Sequence, residues 1–385
     1  MKIAFVVGTF FPEAGGAQVQ AHNICNKLVE NKIETECYIF NKTNIKNNKY
    51  KILLLSKFLT SVVFFFKYYF NLNLNFLLIK YLKKIIKKNN YDFWHFIFLN
   101  HKCLILIECL KQLDQKILVT FQGADIQIDK KINYGYRLDK KYDENLKKIL
   151  KNIEHFFYVS NTVKNDLISL NIPENKMSYF PNSVEVGKFK NYNRENKNPK
   201  KLNLITVARY SPKKKGYDIL VNIGQKLLDN KIDFEWKIIG KDTHNLRKYN
   251  IIKENLNYFK IYDHVENIDE TYYPNSTLIK FYMNSDLYIN LSRIESFGIT
   301  FIESLASMVP ILSFDTKGAN EIIKQNENGF LVNNDEDLFA KIQEIAENKI
   351  ILENMKSNLL DSIKNFDLNL VTEKYERFSI KKINI

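Results

Sequence analysis

The sequence predicts an α/β protein of two similar-sized halves, each opening as a doubly wound parallel sheet. Three observations carry this. Short apolar runs with the character of buried strands alternate with helical periods along the whole chain. The alternation starts twice, at residues 2 to 8 and again at Leu202 to Ala208, on either side of a polar stretch from Lys190 to Lys201 that has no apolar periodicity. A length of 385 residues, with 45% hydrophobic and 26% charged side chains, suits two ordinary domains with ample cores and excludes a disordered chain.

In chain order, residues 2 to 8 read as a buried strand, Thr9 to Gly16 as a loop, about Ala17 to Asn31 as a helix and Ile33 to Phe40 as a second strand. Lys51 to Asn90 is the most apolar stretch, centred on Phe58-Leu-Thr-Ser-Val-Val-Phe-Phe-Phe66. Lys57, Lys67 and Asn71 interrupt it, so no uncharged run reaches the roughly 20 residues of a membrane span. It also carries Lys80, Lys83, Lys84, Lys87 and Lys88, and Asp92 is the only acid between residues 51 and 100. Two readings stay open: a helix lying on an anionic membrane, or a core helix whose lysines form its wet face. Tyr91 to Phe98 reads as a strand containing His95, and Lys116 to Phe121 as another that runs into Gln122-Gly-Ala-Asp125. Lys130 to Asn152 reads as helical, His155 to Ser160 as a strand and Thr162 to Leu170 as a short helix.

After the polar stretch, Leu202 to Ala208 is a strand, Gly216 to Asn230 a helix, Phe234 to Gly240 a strand and Leu246 to Asn255 a helix. Asp286 to Leu291, Pro310 to Phe314 and Gly329 to Val332 supply further strands, and residues 335 to 385 read as helical. The net charge of +14 is uneven: residues 1 to 200 hold 32 Lys and Arg against 17 Asp and Glu, and the remainder 25 against 26. That asymmetry points to an anionic partner for the first half, a membrane surface or a polyanion, although a lysine and asparagine excess also arises from an AT-rich genome alone, and the positive stretches carry no recognised nucleic-acid motif. Cys25, Cys37, Cys103 and Cys109 lack CxxC or zinc spacing and fit free thiols in a reducing compartment. The N-terminus opens directly on a strand and lacks the features of a signal peptide, so a cytoplasmic location is expected.

The chemistry concentrates in Ser292-Arg-Ile-Glu-Ser-Phe-Gly-Ile-Thr-Phe-Ile-Glu-Ser-Leu-Ala306. A strand leads into a tight loop at Gly298, and a helix follows. The N-terminus of such a helix offers unpaired N–H groups and the positive end of its dipole, a seat for phosphate. Glu295 and Glu303 stand eight residues apart around Gly298, one before that seat and one after it. Two glutamates near a helix start also serve simply as dipole complements. This stretch resembles the E-x7-E motif of the retaining glycosyltransferases of family 4. Those enzymes have the GT-B fold, two Rossmann-like domains facing a cleft. The resemblance extends over nearly the whole chain. It implies an acceptor-binding domain over residues 1–195, a nucleotide-sugar-binding domain over 196–365, and a C-terminal helix over 366–385 that packs back on the first domain. By similarity, Glu303 takes the ribose hydroxyls of a nucleotide and Glu295 the donor sugar, with backbone N–H groups of Phe297, Gly298 and Ile299 meeting sugar and diphosphate.

Further motifs support the same family. Val207-Ala-Arg209-Tyr-Ser-Pro-Lys-Lys-Lys-Gly216 is similar to its G-R-x(n)-K-G signature, with Ala208 in the glycine position. The resemblance gives Arg209 and Lys215 the diphosphate and its developing charge, and leaves Lys213 and Lys214 ambiguous. Gly15-Gly16 resembles the family's glycine loop and also fits a plain turn. Asp92-Phe-Trp-His95 sits where the family often has D-x-x-H, which implies a catalytic role for His95, whereas a lone histidine inside a strand is otherwise more often a core residue. Val119-Thr-Phe-Gln-Gly-Ala-Asp125 is similar to its T-x-H-G-x-D segment, but Gln122 replaces the histidine and cannot carry a proton. Tyr158-Val-Ser160 and the segment Phe180 to Phe189, with Asn182 and Ser183, match stretches read as architectural, and Glu321 matches a glutamate read as structural or as supporting the site residues. The implied activity is retaining, metal-independent hexosyl transfer from a nucleotide diphosphate sugar to a glycan or lipid-linked glycan acceptor, as in surface polysaccharide assembly, with no cofactor and no nucleic acid. A nucleotide-sugar epimerase of the same fold and a non-catalytic nucleotide-binding relative are the alternatives. The basic first half would suit peripheral contact with an anionic membrane surface.

Overall fold

A computed structural model of the chain describes residues 1–11, 15–193, 195, 201–263, 265 and 269–383. It divides into two compact units: Met1–Asn182 with Asp269–Tyr273 and Leu368–Ile385, and Ser183–Ile268 with Pro274–Asp367. Half of the expected linker, residues 194 and 196–200, lies outside the described residues.

The first unit is built on seven parallel strands, β1 (Lys2–Val7), β2 (Glu34–Ile39), β3 (Lys51–Leu54), β4 (Phe93–Ile97), β5 (Ile117–Phe121), β6 (His155–Tyr158) and β7 (Met177–Tyr179), in the order β3-β2-β1-β4-β5-β6-β7. β1, β4 and β5 are buried on both faces, which is why they read as unbroken apolar runs. Helices α1 (Gly16–Glu30), α2 (Lys57–Phe70), α3 (Asn75–Lys88), α4 (His101–Lys111), α5 (Lys140–Leu150) and α6 (Asn161–Ser169) connect them. Two expectations need correction here. The start of the apolar stretch at Lys51 is the edge strand β3, since a four-residue apolar run carries no period that separates strand from helix. The helix expected from Lys130 begins only at Lys140, because Gly135 sits at φ +106° with its would-be Cβ 1.9 Å from the Gln127 carbonyl oxygen, a turn that no helix contains.

The second unit carries six parallel strands, β8 (Leu202–Val207), β9 (Phe234–Ile239), β10 (Phe259–Tyr262), β11 (Leu287–Asn290), β12 (Ile311–Phe314) and β13 (Gly329–Val332), in the order β10-β9-β8-β11-β12-β13. Its helices are α7 (Val186–Phe189), α8 (Pro212–Lys215), α9 (Tyr217–Asp229), α10 (Asn250–Glu254), α11 (Ser276–Met283), α12 (Ile299–Ala306), α13 (Asp335–Glu347), α14 (Ile350–Glu353) and α15 (Lys356–Ile363). In both sheets the chain runs outward from the first strand to one edge and then returns to fill the other. Ligands of such open sheets bind beyond the carboxyl ends of the strands where that order switches, here β1/β4 and β8/β11.

The last helix, α16 (Leu368–Ile383), belongs to the first unit, where Leu368, Val371 and Tyr375 join Phe5, Ile24 and Phe157 in one core. The first unit ends at Asn182, earlier than residue 195, and recovers residues 269–273 from the later chain. Asn23 accounts for that return: its side chain donates to the Tyr273 carbonyl at 2.7 Å and accepts the Tyr273 N–H at 2.9 Å, a reciprocal pair that fixes the segment against α1. All four cysteines are free and buried.

Candidate functional site

In the second unit the chain leaves β8 through Ala208-Arg209-Tyr210 and coils into the single turn α8. The Lys215 N–H donates to the Ser211 carbonyl at 2.8 Å, and Gly216 ends the turn at φ +65°. A Cβ on Gly216 would lie 2.1 Å from the Leu291 carbonyl oxygen, so glycine alone lets the lysine turn approach the end of β11. Arg293 then ties the two loops together. Its guanidinium donates to the Lys213 carbonyl at 2.8 Å and to both carboxylate oxygens of Asp218 at 2.8 and 2.7 Å, and its N–H reaches the Lys214 carbonyl at 3.0 Å. The sequence singled out neither Arg293 nor Asp218; Arg293 lies inside the E-x7-E stretch, but only the fold brings Asp218 to it.

The clamp delivers Lys215 to Glu295, with Nζ 2.8 Å from Oε2 and both side chains less than a fifth exposed. Burial alone would raise the Glu295 pKa, but the Lys215 and Lys214 ammonium groups outweigh it and hold the carboxylate below its usual range. Lys214 pays in the opposite direction. Burial first, then Lys215 and Arg209, push it down to about 8 against the pull of Glu295. Of the ambiguous pair, Lys213 is therefore exposed and Lys214 faces the charged group. Arg209 is exposed.

Gly298 opens α12 at φ +82°, where a Cβ would strike the Phe301 ring at 2.5 Å. Phe297 turns its ring inward against Phe366, 5.4 Å between centroids, leaving only its backbone for a ligand. Gly318 closes over the loop from behind, its N–H donating to the Glu295 carbonyl at 3.1 Å. Inside α12, Glu303 is 5% exposed and accepts the Tyr282 hydroxyl at 3.0 Å. Burial lifts it to about 8, a rise that the tyrosine only moderates. The two glutamates are thus held in opposite states near neutral pH, Glu295 ionised by its lysines and Glu303 protonated by its surroundings. Spacing alone could not show that difference. Among the described residues, no three His, Cys, Asp or Glu side chains gather as a metal site.

The first unit holds the remaining expected residues. Gly15 caps α1, its N–H donating to Gln18 Oε1 at 2.8 Å, while residues 12–14 of the same loop lie outside the described residues. Gly16 is the first residue of α1. Asp125 is fully buried and accepts the N–H groups of Leu99, Gln122 and Gly123, which shapes the turn after β5 and makes it a structural residue. Gln122, on that turn, accepts from Asn182 Nδ2 at 3.1 Å. Among the described residues, its own Nε2 and the Asn182 Oδ1 are buried without a hydrogen-bond partner, one donor and one acceptor left over. Ser160 caps α6 by accepting the Val163 N–H, an architectural role.

His95 needs correction. It is fully buried in the core of the first unit, stacked on Tyr375 at 5.3 Å, with Nδ1 paired to the Tyr375 hydroxyl at 2.8 Å and Nε2 to Thr120 at 2.7 Å. Both ring nitrogens are occupied, so the ring has no free face for catalysis. Burial, and secondarily His155, lowers its pKa to about 3. The neutral ring therefore supports the fold fully above the unfolded value near 6.5, and this support is lost as pH falls from there toward 3. His95→Gln is expected to lower the melting temperature at pH 7 by several degrees and to flatten its decline in acid. Thermal melts from pH 7 to pH 4 with an unchanged slope would sink the core assignment.

The fold and this site define a protein of two parallel-sheet Rossmann-like units whose second unit presents the Lys215–Glu295 ion pair beside a glycine-opened helix that carries Glu303. A family model for glycosyl transferases group 1 matches residues 188–360, and one for glycosyltransferase family 4 matches residues 14–188. The chain belongs to this glycosyltransferase family. An uncharacterized 41.2 kDa protein in the cps region of Klebsiella pneumoniae is 28% identical over 172 residues, 43% of this chain and 44% of that one. The chain spans under half the length of the curated relatives it matches. Among solved structures, a glycosyltransferase from Rickettsia africae matches with a TM-score of 0.71 at 22% identity, covering 99% of this chain and 98% of that one. The Anabaena protein HepE, in complex with UDP and glucose, matches with a TM-score of 0.75 at 14% identity, covering 98% and 99%. These likenesses establish the fold as GT-B.

Proposed function

We infer that the chain is a retaining, metal-independent glycosyltransferase that moves a sugar from a nucleotide diphosphate donor to an acceptor hydroxyl in surface polysaccharide or lipid-linked glycan assembly. The observation that carries this is the Lys215–Glu295 pair set beside Lys214 and the Gly298 helix start. Lys214, Lys215 and the exposed Arg209 offer three positive charges to a diphosphate, and they stabilise it further as charge develops on departure. Glu295, already ionised, accepts hydroxyls of the donor sugar, and Glu303 accepts those of the ribose once it gives up its proton. The leaving diphosphate deprotonates the acceptor hydroxyl on the same face, so no covalent carboxylate intermediate is required. Gln122 and Asn182, with one donor and one acceptor left over, suit hydrogen bonding to sugar hydroxyls in the first unit. The HepE complex with UDP and glucose supports a uridine diphosphate hexose as the first donor to try, and the cps-region relative supports the polysaccharide setting.

The test is a screen of nucleotide sugars, with and without glycan acceptors, on wild type and Glu295→Ala, with product detected by mass. Transfer by wild type alone supports this function, interconversion of sugars without acceptor identifies an epimerase, and nucleotide binding without turnover identifies a non-catalytic relative. Consumption of no donor and binding of none ends the proposal. Donor affinity should also carry a limb set by Lys214. Its charge is lost as pH rises through about 8, so nucleoside diphosphate affinity is expected to fall by about tenfold on that limb. Lys214→Arg should move the fall to higher pH, and titration calorimetry from pH 7 to 9.5 reads it; an unmoved limb removes Lys214 from the site.

A further inference from the structure

Seven of the fifteen large hydrophobic side chains exposed by the described residues lie between Leu54 and Phe76. α2 is a well-formed helix, capped by Ser56 Oγ accepting the Leu59 N–H and ended by Asn71 at φ +56°. Yet of its fourteen residues only Thr60 and Val63 are buried. A core helix with a wet lysine face would bury its aromatics. Here Phe58 is 80% exposed, Phe65 47%, Tyr69 63% and Phe70 59%. Phe58, Phe65 and Tyr69 recur at helical spacing on one outward face, and Leu72 and Phe76 extend the apolar surface through the turn into α3. A surface of this kind on a folded protein marks an interaction site.

The charge around it selects the partner. Along α3, Lys80, Lys83, Lys84, Lys87 and Lys88 are all exposed, and none is in an ion pair with a described residue. No acid occurs between Lys51 and Tyr91. A second copy meeting this face across a two-fold axis would set lysine row against lysine row. A soluble polyanion would satisfy the lysines and leave the aromatics wet. An anionic bilayer matches both, taking the aromatics at the headgroup boundary and the lysines at the lipid charge. We propose that the α2–α3 hairpin is a docking surface for an anionic lipid bilayer. A cavity of about 620 Å³ with a mixed lining adjoins the hairpin, Phe64, Tyr68 and Leu104 standing beside Lys67, Lys111 and Lys148. This surface stands whether or not the chain transfers sugars.

The full-length protein is sedimented with vesicles of phosphatidylcholine alone or mixed with phosphatidylglycerol, at low and high salt. Wild type is expected to partition into the anionic vesicles about tenfold or more over the neutral ones. Phe65→Ser combined with Tyr69→Ser and Phe70→Ser should lose at least tenfold at unchanged melting temperature, since these side chains pack mainly on each other and on solvent. Lys80→Gln combined with Lys83→Gln, Lys84→Gln and Lys87→Gln should lose the anionic preference and the salt dependence. The proposal is overturned if wild type stays in the supernatant with every vesicle or if both variants sediment like wild type. It is also overturned if the serine variant instead converts a dimer to a monomer on a sizing column.

Discussion

Glu295→Ala is expected to lower kcat/KM for sugar transfer by about a thousandfold while leaving nucleoside diphosphate affinity unchanged or slightly tighter. The two effects separate because Glu295 does two jobs in the free protein. Its carboxylate is the acceptor proposed for the donor sugar, and it also holds Lys215 at 2.8 Å. Removing it strips the sugar of a charged hydrogen-bond partner that counts most in the transition state. The lysine it releases keeps its place at the end of α8, free to turn wholly to the diphosphate. Lys215→Ala should show the mirror image, with affinity for the diphosphate falling about tenfold or more. Calorimetry with nucleoside diphosphate and initial rates with the donor identified by the screen distinguish them. Retention of more than a tenth of wild-type kcat/KM by Glu295→Ala would remove it from the chemistry.

The positions most open to sequence reading are those where backbone geometry demands a residue type. Gly216 and Gly298 both have positive φ and nearby atoms that exclude a Cβ, so the glycines that punctuate the two motifs also locate the loops that build the site. The doubly wound α/β character of both units followed from the alternation of strand and helix along the chain. What stayed hidden depends on three-dimensional surroundings. Asp218 becomes a partner of Arg293 only because α9 starts beside the loop after β11. His95 reads as a cleft residue from its motif, but Tyr375, 280 residues later, fills its open side. The aromatic stretch from Phe58 to Phe70 left core and surface readings open, since periodicity marks a face of a helix and not what covers it. Burial decided the last two of these cases, and the meeting of two loops the first.

Burial also sets the second large effect, at Glu303. Folding raises this carboxyl from the ordinary 4.5 to about 8 because it is enclosed, and the Tyr282 hydroxyl offsets only part of the rise. The protonated form therefore stabilises the fold fully below about pH 4.5, and that contribution, on the order of a few kcal/mol, is lost as pH rises toward and through 8. Glu303→Gln keeps the shape and removes the titration. Its melting temperature is expected to exceed that of wild type by about 5 °C or more at pH 9, with the gap closing as pH is lowered toward 5. The same substitution should weaken nucleoside diphosphate binding by about tenfold, because a neutral amide is a poorer acceptor for paired ribose hydroxyls than a carboxylate. Binding near neutral pH then has to expel the proton that the empty site retains. Calorimetry in buffers of different ionisation enthalpy should show wild type releasing up to one proton per nucleotide at pH 7, and Glu303→Gln releasing none. Proton release that survives the substitution would assign the titration to another group, and a variant that melts no higher than wild type at pH 9 would show that Glu303 is not kept protonated by its surroundings.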